Sequence, residues 1–269
     1  TTMWRHAPVA LLFLLAACQV PAERTKATSA PFAPPAEEQI PQDARGEEIR
    51  YGLQLVKATK AHLPTNVGNS LSCTNCHLDA GRKPKASPFV GVYAAFPQYR
   101  ARSARVDTLE DRINDCFQRS LDGEALSKDS REMRAIVTYM AWLSEGVPVG
   151  KQPEGSGIPR ISSSRKPDPE IGKQLYATSC AACHGQDGHG GAGIPPLWGA
   201  ESFNLGAGMA RLNTAAAFIK WNMPLGNGGS LSNEEAYDIA AYVLSHARPD
   251  FAGKRHDWSK GGKPEDAPY

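Results

Sequence analysis

The sequence has little net charge, no run of alternating polar and apolar residues, and no hydrophobic stretch long enough to cross a bilayer comfortably. A formal net charge of +2 over 269 residues argues against a nucleic-acid-binding surface and against a strongly acidic partner. Because strand alternation is missing, we expect an all-α fold. The longest apolar run, residues 7–17, has the length of a signal-peptide core and not of a membrane span.

The amino terminus has the pattern of an export signal. Arg5 precedes the apolar run, and the small residues Ala16 and Ala17 stand directly before Cys18. This arrangement resembles the cleavage box of bacterial lipoproteins, in which the cysteine becomes the lipidated first residue. We therefore expect a periplasmic protein anchored to a membrane through Cys18. The alternative is ordinary signal cleavage, which would remove Cys18.

Helical spacing and loop-forming stretches divide the remaining chain. Ile49, Leu53 and Val56 have the spacing of a helix face, and Gly146 followed by Pro148 ends a later helical pattern. Helices are predicted to begin near residues 47 and 170 and to cover 109–121, 131–143 and 234–245. The expected organisation is a signal segment at 1–18, a flexible tether at 19–45, domain 1 at 46–150, a linker at 151–169, domain 2 at 170–250 and a C-terminal tail at 251–269.

Residues 73–77 and 180–184 both read Cys-x-x-Cys-His. This spacing presents two thiols to the vinyl groups of one porphyrin and the following imidazole to its iron. A zinc site would need further Cys or His ligands nearby, and a redox dithiol does not explain a histidine in both copies. The motifs therefore predict two covalent c-type haems. Haem 1 would be held by Cys73, Cys76 and His77, and haem 2 by Cys180, Cys183 and His184.

The second axial ligand of each iron is predicted from a shared offset. Met223 lies 223 − 184 = 39 residues after His184, and the same offset from His77, 77 + 39 = 116, gives Cys116. The matched spacing indicates a duplicated domain in which the second ligand differs. Cys116 could instead be a buried free thiol. The rival ligands are Met133 and Met140 for haem 1, and Met209 and Lys220 for haem 2.

The two expected ligands give the haems different properties. A thiolate donates electron density and favours ferric iron, whereas a thioether favours ferrous iron, so electrons should flow from haem 1 to haem 2. A plain electron carrier does not need a reactive sulfur on its first haem. An enzyme acting on a sulfur substrate does have a use for one.

An anion site is predicted beside Cys116. Arg112, Cys116 and Ser120 are four residues apart, which places them on one helix face. With Arg102 upstream, guanidinium and hydroxyl groups would surround a haem sulfur and could hold an anion. The alternative is that these arginines pair with haem propionates or face water.

Several segments carry a family resemblance, namely residues 88–92, 96–99, 109–121, 146–150, 195–199 and 218–220. With them, nearly the whole chain after the tether resembles the dihaem thiosulfate dehydrogenases. The resemblance implies two cytochrome c domains, His/Cys ligation of haem 1 and a substrate pocket that contains Arg102, Arg112 and Ser120. Some members carry a ligand-swapping lysine before the methionine of haem 2, and because Asn222 stands there we expect stable His184/Met223 ligation.

The resemblance implies that two thiosulfates are joined into tetrathionate, with two electrons passed to a soluble cytochrome or another high-potential acceptor. The nearest alternative is a tetrathionate reductase that runs the reverse reaction. A non-catalytic dihaem electron carrier and a cytochrome subunit that conjugates sulfur to a carrier protein are the others. Turnover of the isolated chain with thiosulfate would separate the enzyme from the last two.

Overall fold

The structure, a computed structural model, describes residues 1–2, 31–191 and 193–269. Residues 3–18 of the predicted signal segment, Cys18 among them, and residues 19–30 of the tether lie outside the described residues. No helix within the described ranges is long and apolar enough to cross a membrane. In chain order the helices of the described part are α1 (Ala44–Lys57), α2 (Thr59–His62), α3 (Leu78–Gly81), α4 (Val92–Ala95), α5 (Leu109–Arg119), α6 (Arg131–Leu143), α7 (Pro169–Ser179), α8 (Ala181–His184), α9 (Leu212–Asn222) and α10 (Asn233–Leu244).

Both halves are built on a crossing of their first and last long helices. In the first half α1 packs on α6, and in the second half α7 packs on α10. A glycine permits each close approach: a Cβ on Gly52 would lie 2.1 Å from the carbonyl oxygen of Ala135, and one on Gly172 would lie 2.0 Å from that of Asp238. The repeated glycine contact is the structural counterpart of the duplication that the 39-residue offset predicted.

The halves differ in the chain between this glycine and the Cys-x-x-Cys-His motif. The separation is 73 − 52 = 21 residues in the first half and 180 − 172 = 8 in the second. The extra residues form α2 and a loop, with Val67 and Leu71 buried in the first core. More chain therefore surrounds the first motif than the second.

The first core also takes in residues from later in the sequence. Phe203, Ala207 and Ala210 pack with the core of α1, α5 and α6. Asn204 ties the same loop to the end of α5, because its main-chain N–H donates to the carbonyl oxygen of Arg119 at 3.2 Å. The two halves are thus joined by packing as well as by the linker.

The helix predictions agree with the structure at most boundaries, and α6 covers 131–143 as predicted. Helix α9 was not predicted, because its core-facing side is mostly alanine, a residue that gives a weak hydrophobic pattern. A short antiparallel ribbon of β1 (Gln98–Arg100) and β2 (Arg105–Asp107) was also missed. Three residues per strand are too few for a detectable alternation.

Candidate functional site

The first Cys-x-x-Cys-His motif faces an enclosed space in the first half. Two adjoining cavities, the larger of about 260 Å³, lie between the motif and helix α5. Cys73 and Cys76 are unpaired thiols at one end of this space. Burial raises the pKa of Cys73 to about 11 and that of Cys76 to about 12, so both remain protonated at neutral pH. The wall residues shared by both cavities are His77, Phe89, Ile113, Cys116 and Met140.

Each motif histidine is oriented by a backbone carbonyl. His77 Nδ1 lies 2.5 Å from the carbonyl oxygen of Ser87, and His184 Nδ1 lies 3.1 Å from that of Pro195. A donated Nδ1–H fixes the ring and leaves Nε2 as the free ligand atom, which is the usual device at metal-binding histidines. Two unpaired thiols beside an imidazole oriented in this way fit a c-type haem in both halves.

Cys116 lies in the same space as His77, as the offset predicted. It is on α5, whose first turn is capped reciprocally by Thr108 and Asp111. Arg112 lies one turn earlier, and its Nη1 donates to Cys116 Sγ at 2.8 Å. Burial by itself would raise the pKa of Cys116, but the Arg112 guanidinium and the His77 ring outweigh it and lower the pKa to about 6. The sulfur is therefore predominantly thiolate at neutral pH.

Arg112 and Ser120 lie on either side of Cys116 along the cavity. Arg112 lines the larger space, Ser120 lines the space near the motif thiols, and Cys116 borders both. In the described part of the chain, no ion pair joins Arg112 to a carboxylate. Its one side-chain hydrogen bond among the described residues goes to Cys116, so its other N–H groups can serve an anion in the cavity.

Arg102 is placed differently and does not line either space. Its Nη1 donates to the carbonyl oxygen of Gly206 at 2.5 Å, and its guanidinium lies over the ring of Trp258, 4.7 Å from the centroid. Asp257 lies 3.9 Å from Nε. The C-terminal tail thus covers Arg102, a contact that spacing in the sequence cannot show, and its substrate contact stays a prediction.

Arg100 was not singled out from the sequence, yet it lines the larger space together with Gln98 and Gln152. It is held there by Asp115 at 2.7 Å and Asp107 at 3.3 Å. The sequence signal that could have drawn attention to Arg100 is that arginine occurs at both 100 and 102. A sequence does not reveal which of the two enters a cavity.

The second motif is more open than the first. Cys183 is exposed, whereas Cys180 packs against the second core together with Ile219 and Trp198. Met223 follows the last residue of α9 and is half-buried. Of the two rival ligands, Lys220 donates its ammonium to the carbonyl oxygens of Gly229 and Leu231, and Met209 packs against the first core.

The two halves match two families of cytochrome domains. Residues 60–149 match the SoxA/TsdA cytochrome c domain, and residues 167–243 match subunit III of cbb3-type cytochrome c oxidase. The thiosulfate dehydrogenase of Allochromatium vinosum is 47% identical over 254 residues, which cover 91% of this chain and 94% of that protein. That of Psychrobacter arcticus is 46% identical over 238 residues, 86% of this chain and 73% of that protein. The chain belongs to the thiosulfate dehydrogenase family.

A solved structure supports the same assignment. The thiosulfate dehydrogenase TsdBA of Marichromatium purpuratum, in its as-isolated form, superimposes with a TM-score of 0.79 at 39% identity. The match covers 81% of this chain and 50% of that one, so this chain spans about half the length of TsdBA. The predicted all-α fold of two cytochrome c domains with two c-type haems is confirmed. Cytochrome c domains are typically extracytoplasmic.

Proposed function

We propose that this protein oxidatively joins two thiosulfates into tetrathionate and passes two electrons to a soluble cytochrome or another high-potential acceptor. The observation that carries the proposal is the 2.8 Å hydrogen bond from Arg112 to Cys116 Sγ inside the cavity that His77 borders. This hydrogen bond places a thiolate next to a guanidinium that has no carboxylate partner among the described residues. That pair suits a substrate that is both a sulfur nucleophile and a dianion.

The residues that would hold the haems follow from the two motifs. Haem 1 would be bound through Cys73 and Cys76, with His77 and Cys116 as axial ligands. Haem 2 would be bound through Cys180 and Cys183, with His184 and Met223. When bound, the two haems supply the one-electron acceptors that the oxidation needs. The ammonium of Lys220 is bonded to a backbone carbonyl and Met209 packs against the first core, so we favour Met223 over both as the second ligand of haem 2.

The first step binds thiosulfate beside Cys116. Arg112 orients the dianion and offsets its charge, and Ser120 offers a hydroxyl on the other side of the sulfur. We also assign Arg102 a role in attracting the dianion. The outer sulfur of thiosulfate bonds to Cys116 Sγ, and two electrons leave as the S–S bond forms.

The second step releases the product without further oxidation. A second thiosulfate attacks the outer sulfur atom bound to Cys116, forming the central S–S bond of tetrathionate and returning the cysteine as thiolate. Charge balances, because a monoanionic Cys116 adduct and a dianion give a thiolate and a dianionic product. Arg112 then stabilises the thiolate that leaves.

An assay of the purified holoprotein with thiosulfate and an artificial one-electron acceptor tests the proposal. We expect one tetrathionate for every two thiosulfates consumed and for every two electrons transferred. Absence of tetrathionate with both haems attached would contradict it. Faster reduction of tetrathionate than oxidation of thiosulfate at matched driving force would instead assign the reverse reaction.

Replacement of Met223 by glycine tests the ligand of haem 2. We expect an altered haem 2 absorption spectrum, with the haem 1 spectrum unchanged, because only the second iron loses its thioether. A control variant, Met209→Leu, should leave both spectra as they are. An unchanged haem 2 spectrum in Met223→Gly would contradict the assignment.

The division of the chain and its anchoring are also proposals. We take the two haem domains to span residues 46–150 and 170–250, and we propose a periplasmic protein lipidated on Cys18. Mass spectrometry of the mature amino terminus would show a lipid-modified cysteine at that position. A mature chain that begins after Cys18 would contradict the anchor.

A further inference from the structure

The site holds hydrogen-bond donors without acceptors among the described residues at the end formed by the larger cavity, which the motif thiols do not line. Ser156 Oγ is buried, lines the cavity and has no hydrogen-bond partner among the described residues. A buried hydroxyl left unsatisfied is rare in folded proteins, because it loses its bonds to water without replacing them. The position of Ser156 in the cavity wall therefore points to an acceptor that the cavity receives.

Arg100 offers further donors at the same end. Both of its side-chain hydrogen bonds use Nη1, to Asp115 at 2.7 Å and to Asp107 at 3.3 Å. Within the described ranges, its Nη2 and Nε groups donate to nothing. The two carboxylates thus fix the guanidinium at the wall while its remaining N–H groups stay available.

The order of residues along the cavity indicates which acceptor this is. Cys73 and Cys76 line only the smaller cavity, His77 and Cys116 border both, and Arg100 and Ser156 line only the larger one. In a haem, the edge that carries the two propionates is opposite the edge whose vinyl groups bond to the cysteines. A haem attached to the thiols therefore directs its carboxylates towards the end with unpaired donors.

We propose that Arg100 and Ser156, with Gln152 at the rim, form the carboxylate-binding end of the haem 1 site and donate hydrogen bonds to the haem propionates. Charge-assisted bonds from an arginine to a carboxylate are the strong members of their class. The haem is present whether or not thiosulfate turns over, so this inference does not depend on the proposed reaction.

The linker thereby becomes part of the haem 1 site. Ser156 belongs to it, and two main-chain bonds fasten it to the loop after the motif: Lys85 N to Gly155 O at 2.8 Å and Ser87 N to Gly157 O at 2.9 Å. Ser87 is the residue whose carbonyl orients His77. One segment thus supports the axial histidine and supplies a donor to the propionates.

A sulfonate of the substrate is the other oxyanion that could occupy this end. The two carboxylates that hold Arg100 are shared with Arg105 and Arg119, so charge alone does not decide between the two anions. A propionate does not need a long-range attraction, because covalent attachment of the haem brings it to the donors. Attachment therefore favours the propionate at this end, whereas the substrate has Arg112 beside Cys116.

The test compares Arg100→Gln and Ser156→Ala with a matched control, Arg105→Gln, in the holoprotein without thiosulfate. Arg105 also pairs with Asp107, at 2.9 Å, but does not line the cavity. The first readout is the propionate bending mode in the resonance Raman spectrum, which responds to the hydrogen bonds that propionates accept. The second is the midpoint potential of haem 1, followed through the electron paramagnetic resonance signal of the cysteine-ligated iron.

We expect a shifted propionate mode in both cavity variants and a lower haem 1 potential in Arg100→Gln, because loss of a nearby cation favours ferric iron. Arg105→Gln should leave both readouts unchanged. An unshifted mode in the cavity variants, with or without a raised KM for thiosulfate, would overturn the proposal. If Arg100→Gln fails to take up haem, Ser156→Ala, which removes only a hydroxyl, decides the result.

Discussion

The two halves share the crossing of their long helices and differ in the surroundings of the cysteines on which the proposed haem sites depend. Both cross their first and last long helices at a glycine, and both orient the motif histidine with a backbone carbonyl. In the first half Cys116, the proposed second ligand of haem 1, lies in a cavity beside Arg112, whereas the second motif exposes Cys183 to solvent. A half-buried cysteine beside a cation suits chemistry, and the more open second motif suits the exit of electrons.

The additional chain segments of the molecule also gather on the first half. The loop before the first motif packs in the first core, linker residues 155–157 bond to the loop after the motif, and the tail contacts Arg102 and Arg119. The linker and the tail also contact the second half, where Arg165 pairs with Asp238 and Arg211 with Asp266. The tail is held by Asp257, which accepts two hydrogen bonds from Arg119 at 2.8 Å each. If Cys116 ligates haem 1 as proposed, the comparison teaches that a duplicated electron-transfer domain becomes an active site through a changed axial ligand and added chain around it.

Replacing Cys116 by glycine should remove the difference between the halves most completely. We expect tetrathionate formation to fall at least about 1,000-fold, because the sulfur that carries the covalent step is gone. Steady-state assays with thiosulfate measure the loss, and visible absorption confirms that both haems remain attached. Full activity in this variant would refute the role of Cys116.

The shared helix crossing can be broken in either half separately. Gly52→Ala and Gly172→Ala each place a methyl group about 2 Å from a backbone oxygen. Because backbone cannot move aside as a side chain does, each should cost about 3 kcal/mol of unfolding free energy. Chemical denaturation measures this, and Gly208→Ala, where a Cβ meets nothing within 4 Å and φ is not positive, shows the effect of a glycine lost without a close contact.

The next largest effect on the difference between the halves is expected from removal of the cation beside Cys116. Arg112→Gln removes a charge-assisted bond, so we expect kcat/KM for thiosulfate to fall about 10- to 100-fold. Arg112→Lys keeps the charge and should recover part of the activity. Unchanged kinetics in both variants would show that the guanidinium does not serve the substrate.

The smallest expected effect is on stability and concerns the capping boxes at the start of α5 in the first half and of α10 in the second. Burial raises the pKa of Asp111, but Lys128 and the Thr108 bonds outweigh it and lower the pKa to about 2. Since the folded pKa is below the unfolded one, the carboxylate stabilises α5 above about pH 4, and this stabilisation is lost as the pH falls towards 2.

Asp111→Asn should therefore cost about 1 kcal/mol at neutral pH and almost nothing near pH 2. Denaturation curves at several pH values measure it. Glu235→Gln is the matched change in the capping box of α10, and among the described residues Glu235 has no ion pair with a lysine or an arginine. A loss for Asp111→Asn that is the same at all pH values would contradict the explanation.

Most of the fold could be predicted from the sequence because the long helices have apolar residues at helical spacing and begin at residues that commonly cap helices. Helix α6, for example, covers 131–143 as predicted and is capped by Ser130. The site could be predicted only where its members are close in sequence, as Arg112 and Cys116 are. Arg100 and Ser156 reach the cavity through a ribbon and a linker whose course depends on tertiary contacts. Trp258 covers Arg102 from 156 residues away, which no local pattern reveals.

The central claim is that the two haems differ because Cys116 ligates the first. Electron paramagnetic resonance of the oxidised holoprotein and of Cys116→Ser tests it most directly. We predict a low-spin ferric signal of the thiolate type in the unaltered protein, alongside a His/Met signal, and its disappearance in the variant with the second signal unchanged. Identical spectra of the two proteins would contradict the account.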